Sequence, residues 1–503
     1  MPQLTAKNLK QLLDDPENRS PSIDGMPYDR NSIQPSVVHF GVGNFHRCHQ
    51  AVYMDRLLRQ GFDSWGIIGV SMRSTKTRDA LKSQDFLYTV VTLGGQASFR
   101  IIGSILDILV APEDLGAVVK LIAEKSTKLV TTTITEKGYC LSSGNIDHSH
   151  IDMSADEANL GKPRTIYGYL AAGIILRSRS DAGPLSIVCC DNIEAGGQKL
   201  RAGVYALLKI HAPHLEDWTD KNISFASSMV DRVAPATDDA LKTLVDSTLN
   251  LEDAWPVSAE PFSQWIIEDK FAGPKPPLDE VGVIFTPDIV KYQKMKLRFL
   301  NASHSIIAVL AHLTGHKNIH NALEHPPIFE FVVRVLRETI LPVTDIPEGF
   351  EASNYIIDVI LRFQNSALPY SAQQVNTDSS QKINLRWFPI IDDALKKRND
   401  TRLMSFMIAA WVIYIEKALE DDELSDPLRA ELVKIHQNGT TNIGQFLKAI
   451  GADKFSFMDS SSFKAAVTRA YETLSDNDVS IAITDVLNET ELPSKPKKDP
   501  YYA

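Results

Sequence analysis

The stretch Val37-Val38-His39-Phe40-Gly41-Val42-Gly43-Asn44-Phe45-His46-Arg47 begins as an apolar run and stops at two glycines. Val52, Met54, Leu57 and Leu58 then recur with helical spacing over residues 51–58, and Trp65-Gly66-Ile67-Ile68-Gly69-Val70 is a second short apolar run. Strand, glycine turn, helix and strand in that order open a dinucleotide-binding βαβ unit. The glycines let the backbone bend and approach a pyrophosphate, whose charge is met by N–H groups at the start of the next helix. The third glycine of the usual fingerprint is absent, and His46 stands there. A GxG alone is equally a plain turn; its position between strand and helix is what points to a cofactor.

Further strand candidates lie at residues 129–135 and 185–190, separated by helical segments such as 115–125 and 165–177. This alternation predicts a largely parallel sheet covered by helices. Around Gly273-Pro274-Lys275-Pro276-Pro277 the chain changes character, and helical patterns dominate from Val290 onward: residues 328–340, 355–362, 402–420, 428–435 and 463–474 all fit. The expected organisation is α/β: a Rossmann-type N-terminal domain over residues 1–285, then a mostly α-helical C-terminal domain over 286–503. Residues 494–503, rich in Lys and Pro, read as a frayed tail. No internal repeat is evident.

A chain of 503 residues is too long for one core, and its 44% hydrophobic and 23% charged residues are those of a globular protein. A net charge of −11 and a pI near 5.7 disfavour nucleic acid or an anionic membrane as partner. Only Cys48, Cys140, Cys189 and Cys190 are present, too sparse and ill-placed for a disulfide framework. The first residues lack the apolar core of a signal peptide, and the most apolar stretch, residues 403–415, is too short to span a bilayer. It reads as a buried helix, and the cytoplasm is the expected location.

The chemistry concentrates in residues 291–305, Lys-Tyr-Gln-Lys-Met-Lys-Leu-Arg-Phe-Leu-Asn-Ala-Ser-His-Ser. On an α-helix, at roughly 100° per residue, His304 falls about 80° and Asn301 about 140° from Lys296. That arc carries a titratable amine, an uncharged amide and an imidazole. An amine that loses its proton beside neutral donors able to hold a developing alkoxide suits alcohol–ketone chemistry. The plain alternative is a solvated lysine and a satisfied histidine. Asp191-Asn192 closes a buried-looking strand, where polar residues line the usual ligand crevice. Asp231 orients a substrate or simply pairs with Arg232. Where an acidic residue would hold a ribose 2′-hydroxyl, the chain has none before Asp79, and Arg73, Ser74 and Lys76 would accept a 2′-phosphate instead. His312, His316, His320 and Glu324 recur every four residues, but Gly315 interrupts the helix they would share, so a metal face is disfavoured.

Six motifs now stand in order: Gly41-Val-Gly-Asn-Phe-His-Arg-Cys-His-Gln50, Thr133-Ile-Thr-Glu-Lys-Gly-Tyr139, Cys190-Asp-Asn192, Ser228-Met-Val-Asp-Arg232, Trp265-Ile-Ile-Glu-Asp269, and Lys296-x4-Asn301-x2-His304-Ser305. Together they resemble the polyol-specific long-chain dehydrogenases, the mannitol 2-dehydrogenase and fructuronate reductase family, over about residues 35–480. The resemblance implies a metal-free site that interconverts a sugar alcohol and its 2-ketose with NAD, NADP not being excluded. Its small-molecule partner would be D-mannitol or D-fructose, and such proteins are often monomers. Carried over by position, Lys296 resembles the general base, Asn192 and Asn301 the amides that stabilise the alkoxide, and His304 and Asp231 substrate-orienting residues. Gly41, Val42, Gly43, Asn44, Phe45 and Arg47 match the pyrophosphate loop, Glu136 a motif near the nicotinamide, and Lys382 a substrate-binding lysine. A lysine titrating at roughly 10.4 is a poor base at neutral pH, so the assignment requires partial burial to lower it.

Two positions depart from that pattern. Gln374 stands where the best-known mannitol dehydrogenases carry a substrate-binding arginine, and Gln293 where an acidic residue helps the proton leave. The first opens substrate choice to fructuronate reduction (D-mannonate oxidation) or to another polyol such as D-arabinitol. A Schiff-base lyase centred on Lys296 and a catalytically dead metabolite binder are the competing classes; the glycine turn argues against the first, the intact Lys-Asn-His set against the second.

Overall fold

The computed structural model describes residues 1–14, 23–142, 144–437 and 442–489, and the chain divides after Ile289 into two compact units. The tail reading for residues 494–503 lies outside the described residues.

The first unit is built on an eight-stranded sheet: β1 (Pro35–Phe40), β2 (Gly66–Ser71), β3 (Ile105–Val110), β4 (Leu129–Thr132), β5 (Leu185–Cys189), β6 (Ile223–Asp231), β7 (Gln264–Glu268) and β8 (Ile284–Thr286). Their spatial order is 3-2-1-4-5-6-7-8; the first six run parallel, β7 lies antiparallel to β6, and β8 parallel to β7. The order 3-2-1-4-5-6 is the doubly wound arrangement whose direction reverses between β1 and β4, where ligands bind beyond the strand ends. Side chains alternate between the two faces. Val37, Leu129, Val188 and Cys190 enter one core cluster, while Val38, Phe40, Val130, Ile187 and Cys189 enter the other. All four cysteines are buried thiols.

One boundary needs correction, and two features were not anticipated. The strand over 129–135 stops at Thr132, because Thr135 sits at φ 67° and leaves the sheet. The helix expected over 51–58 is preceded by a separate turn: α1 (Asn44–Cys48) breaks at His49, and α2 (Gln50–Arg59) resumes beyond it. A second sheet, formed by Ile23–Asp24, Ser98–Ile102, Tyr88–Thr92 and Val257–Ala259, has its own core and no counterpart in the reading above. Its strands are short and far apart in sequence, so no local period announces them.

The second unit is helical. Every residue of α8 (Arg402–Glu420) from Arg402 to Ile415 is buried, as expected of a helix apolar on all sides, and it packs on α5 (Ser303–Leu313) and α9 (Ser461–Asp476). Each buried Leu or Ile contributes about 1.5–3 kcal/mol, so one charge among residues 403–415 would remove much of the unit's stability. No helix among the described residues is long and apolar enough to cross a membrane. The expected helix over 291–305 is continuous but not uniform: α4 (Ile289–Lys296) passes into a π-helical turn, Leu297–Ala302, before α5.

Candidate active site

In the first unit the switch point is occupied by the glycine turn. Gly41 has φ 103°, and a Cβ built there would overlap the Thr133 carbonyl oxygen at the end of β4, so the position requires glycine. Its carbonyl is held from three sides: Gly43 N–H at 2.8 Å, Thr133 Oγ1 at 2.8 Å and His39 Nε2 at 3.2 Å. A carbonyl only accepts, so Nε2 carries the proton and Nδ1 accepts from the Thr131 hydroxyl at 2.7 Å. Burial pushes His39 down to about 3, and the ring is neutral.

Gly43 is different. Its φ of −90° suits any residue, and a Cβ there would meet open space. Nothing among the described residues demands glycine at 43. His46, in the place of the third glycine, stacks on His39 with centroids 3.4 Å apart and planes 12° from parallel. A flat imidazole thus fills the strand–helix contact that glycine would otherwise make.

The Arg47 side chain is turned into the protein. It is wholly buried, donates to Trp255 O and to Asn44 Oδ1 at 2.8 Å, and lies over the Tyr88 ring. It ties the turn to the Trp255 carbonyl and to Asn44. Asn44 Nδ2 donates to Pro235 O at 3.1 Å, Val42 is buried, and Asn44 and Phe45 are half-buried.

Asp191, buried after β5, organises the next strand end. Its carboxylate accepts from Thr135 N at 2.8 Å, Thr132 Oγ1 at 3.2 Å and Tyr139 OH at 2.5 Å. It therefore pins the segment Glu136–Tyr139, which is bounded by positive φ at Thr135 (67°) and Cys140 (45°). Strain of this kind survives only where surroundings enforce it. Glu136 is exposed on this segment, and Asn192 is exposed directly after Asp191. Asp231, ending β6, is buried; Arg232 donates to the Glu260 and Cys48 carbonyls. Beyond β2, Arg73, Ser74 and Lys76 are exposed.

In the second unit, Lys296, Asn301 and His304 straddle the π turn. An i→i+5 hydrogen-bond period stacks Asn301 over Lys296 more closely than the α period does. The uniform-helix arc is thus corrected toward a narrower one. His304 packs on Phe363 and Tyr370, with centroids 5.0 and 5.4 Å away, and its Nε2 lies out of solvent with no hydrogen-bond partner among the described residues. Burial and then the charges of Arg386, Lys382 and Arg362 push this imidazole down to about 3. Lys382, on α7 (Ser379–Arg386), donates to Val375 O at 3.0 Å and is held below its ordinary value by burial and by Arg386. Gln374 is exposed. The sequence reading missed Arg386 and Arg362; the i, i+4 spacing of Lys382 and Arg386 was the available signal. His312 and His316 do not share a helix with His320: α5 ends at Leu313, Gly315 turns at φ 77°, and a new helix starts at Ile319.

The sheet order and the glycine turn at its switch point define a Rossmann-type oxidoreductase domain, followed here by a helical domain. The chain belongs to the mannitol dehydrogenase family. Residues 35–280 match the mannitol dehydrogenase Rossmann domain and residues 288–475 the mannitol dehydrogenase C-terminal domain. The mannitol 2-dehydrogenase of Pyricularia oryzae is 33% identical over 496 residues, covering 95% of this chain and 98% of that protein. That of Aspergillus clavatus is 34% identical over 489 residues, covering 94% and 96%. Among solved structures, Pseudomonas fluorescens mannitol 2-dehydrogenase in a ternary complex with NAD and D-mannitol is similar at TM-score 0.78 and 29% identity, covering 97% of this chain and 100% of that one. A substrate-free D-sorbitol dehydrogenase is similar at TM-score 0.88 and 27% identity, covering 96% and 100%.

Proposed function

We propose that this protein interconverts D-mannitol and D-fructose with a nicotinamide dinucleotide and without a metal, Lys296 acting as general base. The observation that carries the reading is the Lys296–Asn301–His304 set straddling one π turn, in a chain similar along nearly its whole length to mannitol 2-dehydrogenases.

The residues present fit a dinucleotide. Gly43 faces open space where a pyrophosphate would approach, and the N–H groups of the first turn of α1 would meet its charge. When bound, the nicotinamide supplies the hydride acceptor or donor. Lys296 takes the hydroxyl proton in the oxidising direction and returns it in the reducing one. Asn192 and Asn301 donate to the oxygen as it gains alkoxide charge, which offsets that charge without a cation. His304, held neutral, and Asp231 orient hydroxyls, and Lys382 binds the far end of the substrate. Glu136 lies on the strained segment that Asp191 holds and acts beside the nicotinamide. Arg73, Ser74 and Lys76 support use of NADP as well as NAD, and the cytoplasm is the proposed location.

A second reading has one observation in its favour. Lys382, Arg386 and Arg362 surround His304 with positive charge, which suits a carboxylate and hence fructuronate. Initial rates of D-fructose and D-fructuronate reduction, each with NADH and NADPH, decide between them. Fructose activity that persists after dialysis against a chelator is the expected result. Preference for fructuronate moves the chain to the sugar-acid branch, and silence with all four pairs overturns both.

A further inference from the structure

Local sequence does not account for the π turn. Leu297-Arg298-Phe299-Leu300-Asn301-Ala302 contains neither Gly nor Pro, and its Leu, Arg and Ala residues favour a plain α-helix. In an α-helix each carbonyl is met by the N–H four residues on. A π turn holds an extra residue, so where it returns to α the ladder shifts and side chains insert.

Four consecutive carbonyls at that exit accept side-chain donors. Ser303 Oγ donates to Phe299 O and, at 3.2 Å, to Leu300 O. Arg386 Nη1 donates to Asn301 O at 3.1 Å, and Trp387 Nε1 donates to Ala302 O at 3.1 Å. Arg386 Nη1 also donates to Ser305 Oγ at 2.8 Å, so one guanidinium bridges the carbonyl of residue 301 and the side chain of residue 305. Ser303 is local, whereas Arg386 and Trp387 arrive from the end of α7.

We propose that Arg386, seconded by Trp387, is a positioning residue for the reaction: it holds the Asn301 carbonyl, keeps Leu297–Ala302 in the π form, and so turns Lys296, Asn301 and His304 to one side. This rests on the reading of Lys296 as the base. Arg386 touches the backbone of the catalytic turn, and its effect passes through that turn. A methionine would fill the same space and donate to neither acceptor. A lysine would restore a charged donor on a smaller, differently shaped head and so recover part of the contact.

The test compares Arg386→Met, Arg386→Lys, Trp387→Phe and Lys296→Ala in D-fructose reduction by NADH, with NADH affinity from fluorescence titration and hydrogen exchange over residues 297–302. In Arg386→Met the expected kcat falls on the order of 10- to 100-fold, as misplacement of catalytic groups by about an ångström does. NADH affinity should stay within about twofold, exchange over 297–302 should quicken, and Arg386→Lys should recover part of the loss. Wild-type kcat in Arg386→Met beside an inactive Lys296→Ala overturns the clamp and leaves the base standing. Normal turnover in Lys296→Ala overturns the base, and this inference with it. Were the wild type silent with fructose, unchanged exchange in Arg386→Met would still overturn the clamp. If Arg386→Met fails to fold, Arg386→Lys and Trp387→Phe decide: kcat and NADH affinity falling together denotes a merely structural role and overturns the proposal.

Discussion

The glycine turn of the first unit and the π turn of the second are both interruptions of regular backbone, made by opposite means. Gly41 sits at φ 103° against the Thr133 carbonyl, a conformation that side-chain-bearing residues rarely adopt. Residues bounding the π turn are conformationally ordinary, with Lys296 at φ −57°, ψ −46° and Ser303 at φ −65°, ψ −34°. There the exception lies in the hydrogen-bond ladder, and donors from a distant helix end sustain it. Their electrostatics differ too. Burial keeps all three imidazoles neutral, but the glycine turn rests on two of them stacked together, whereas His304 is lowered further by the nearby charges of Arg386, Lys382 and Arg362. A dihedral exception is written in the residue that makes it; a hydrogen-bond exception is written in its partners.

The largest effect should come from the second region. Lys296→Ala should cut turnover on the order of 10² or more while NADH affinity holds, measured by steady-state rates and fluorescence titration. Retained turnover would strip the π turn of its chemical role. The first region is tested by a pair. Gly41→Ala should lower the melting temperature and weaken NADH binding on the order of tenfold or more, because the chain itself has no room for a methyl. Gly43→Ala should weaken NADH binding while stability stays within about 0.5 kcal/mol, since that methyl meets nothing in the chain. Equal stability loss in both would erase the distinction between the two glycines.

A pH measurement sharpens the electrostatic half of the comparison. His39 and His304 both titrate at about 3 in the folded state, against 6.5 ordinarily. Between those values the unfolded chain binds protons that the folded chain refuses, so their contribution is whole above pH 6.5 and declines as pH falls toward 3. Each contributes a slope of about 1.4 kcal/mol per pH unit in that window. His39→Asn or His304→Asn should each flatten the acid limb of a denaturation series by one proton; no change would mean the ring is solvated. The smallest effect is expected at the rim of the first unit. Arg73→Ala should raise the KM for NADPH several-fold and leave that for NADH unchanged, and equal shifts would remove Arg73 from coenzyme choice.

How much was legible follows the same division. The first strand, the glycine turn and the helix after it could be read because apolar runs and glycines carry their meaning locally. Lys296, Asn301 and His304 stand out by chemistry, but a uniform helix would hold them at a wider mutual angle than the π turn does. Arg47 is a second case: the motif places it in the pyrophosphate loop, and only the fold shows its side chain buried and tied to Trp255 and Tyr88. Those partners lie far along the chain, and nothing in the motif indicates which side an arginine faces. Asp191 was visible only as a strand-end residue; its hold on Thr135 and Tyr139 required β4 and β5 to be neighbours.

By itself the sequence determined the class of each half, the cofactor-type turn, and the family to which the chain belongs. Those features rest on periodicity, on glycine, and on the order of short motifs, all local along the chain. The tertiary structure alone decided which glycine serves the fold and which faces outward, why His46 replaces a third glycine, and what bends residues 297–302 into a π turn. Each of these depends on atoms that only the fold brings together: Thr133 against Gly41 from 92 residues on, His39 under His46 across the glycine turn, and Arg386 and Trp387 on Asn301 and Ala302, each 85 residues apart. A carbonyl's partner is a matter of position in space, and only the folded chain supplies it.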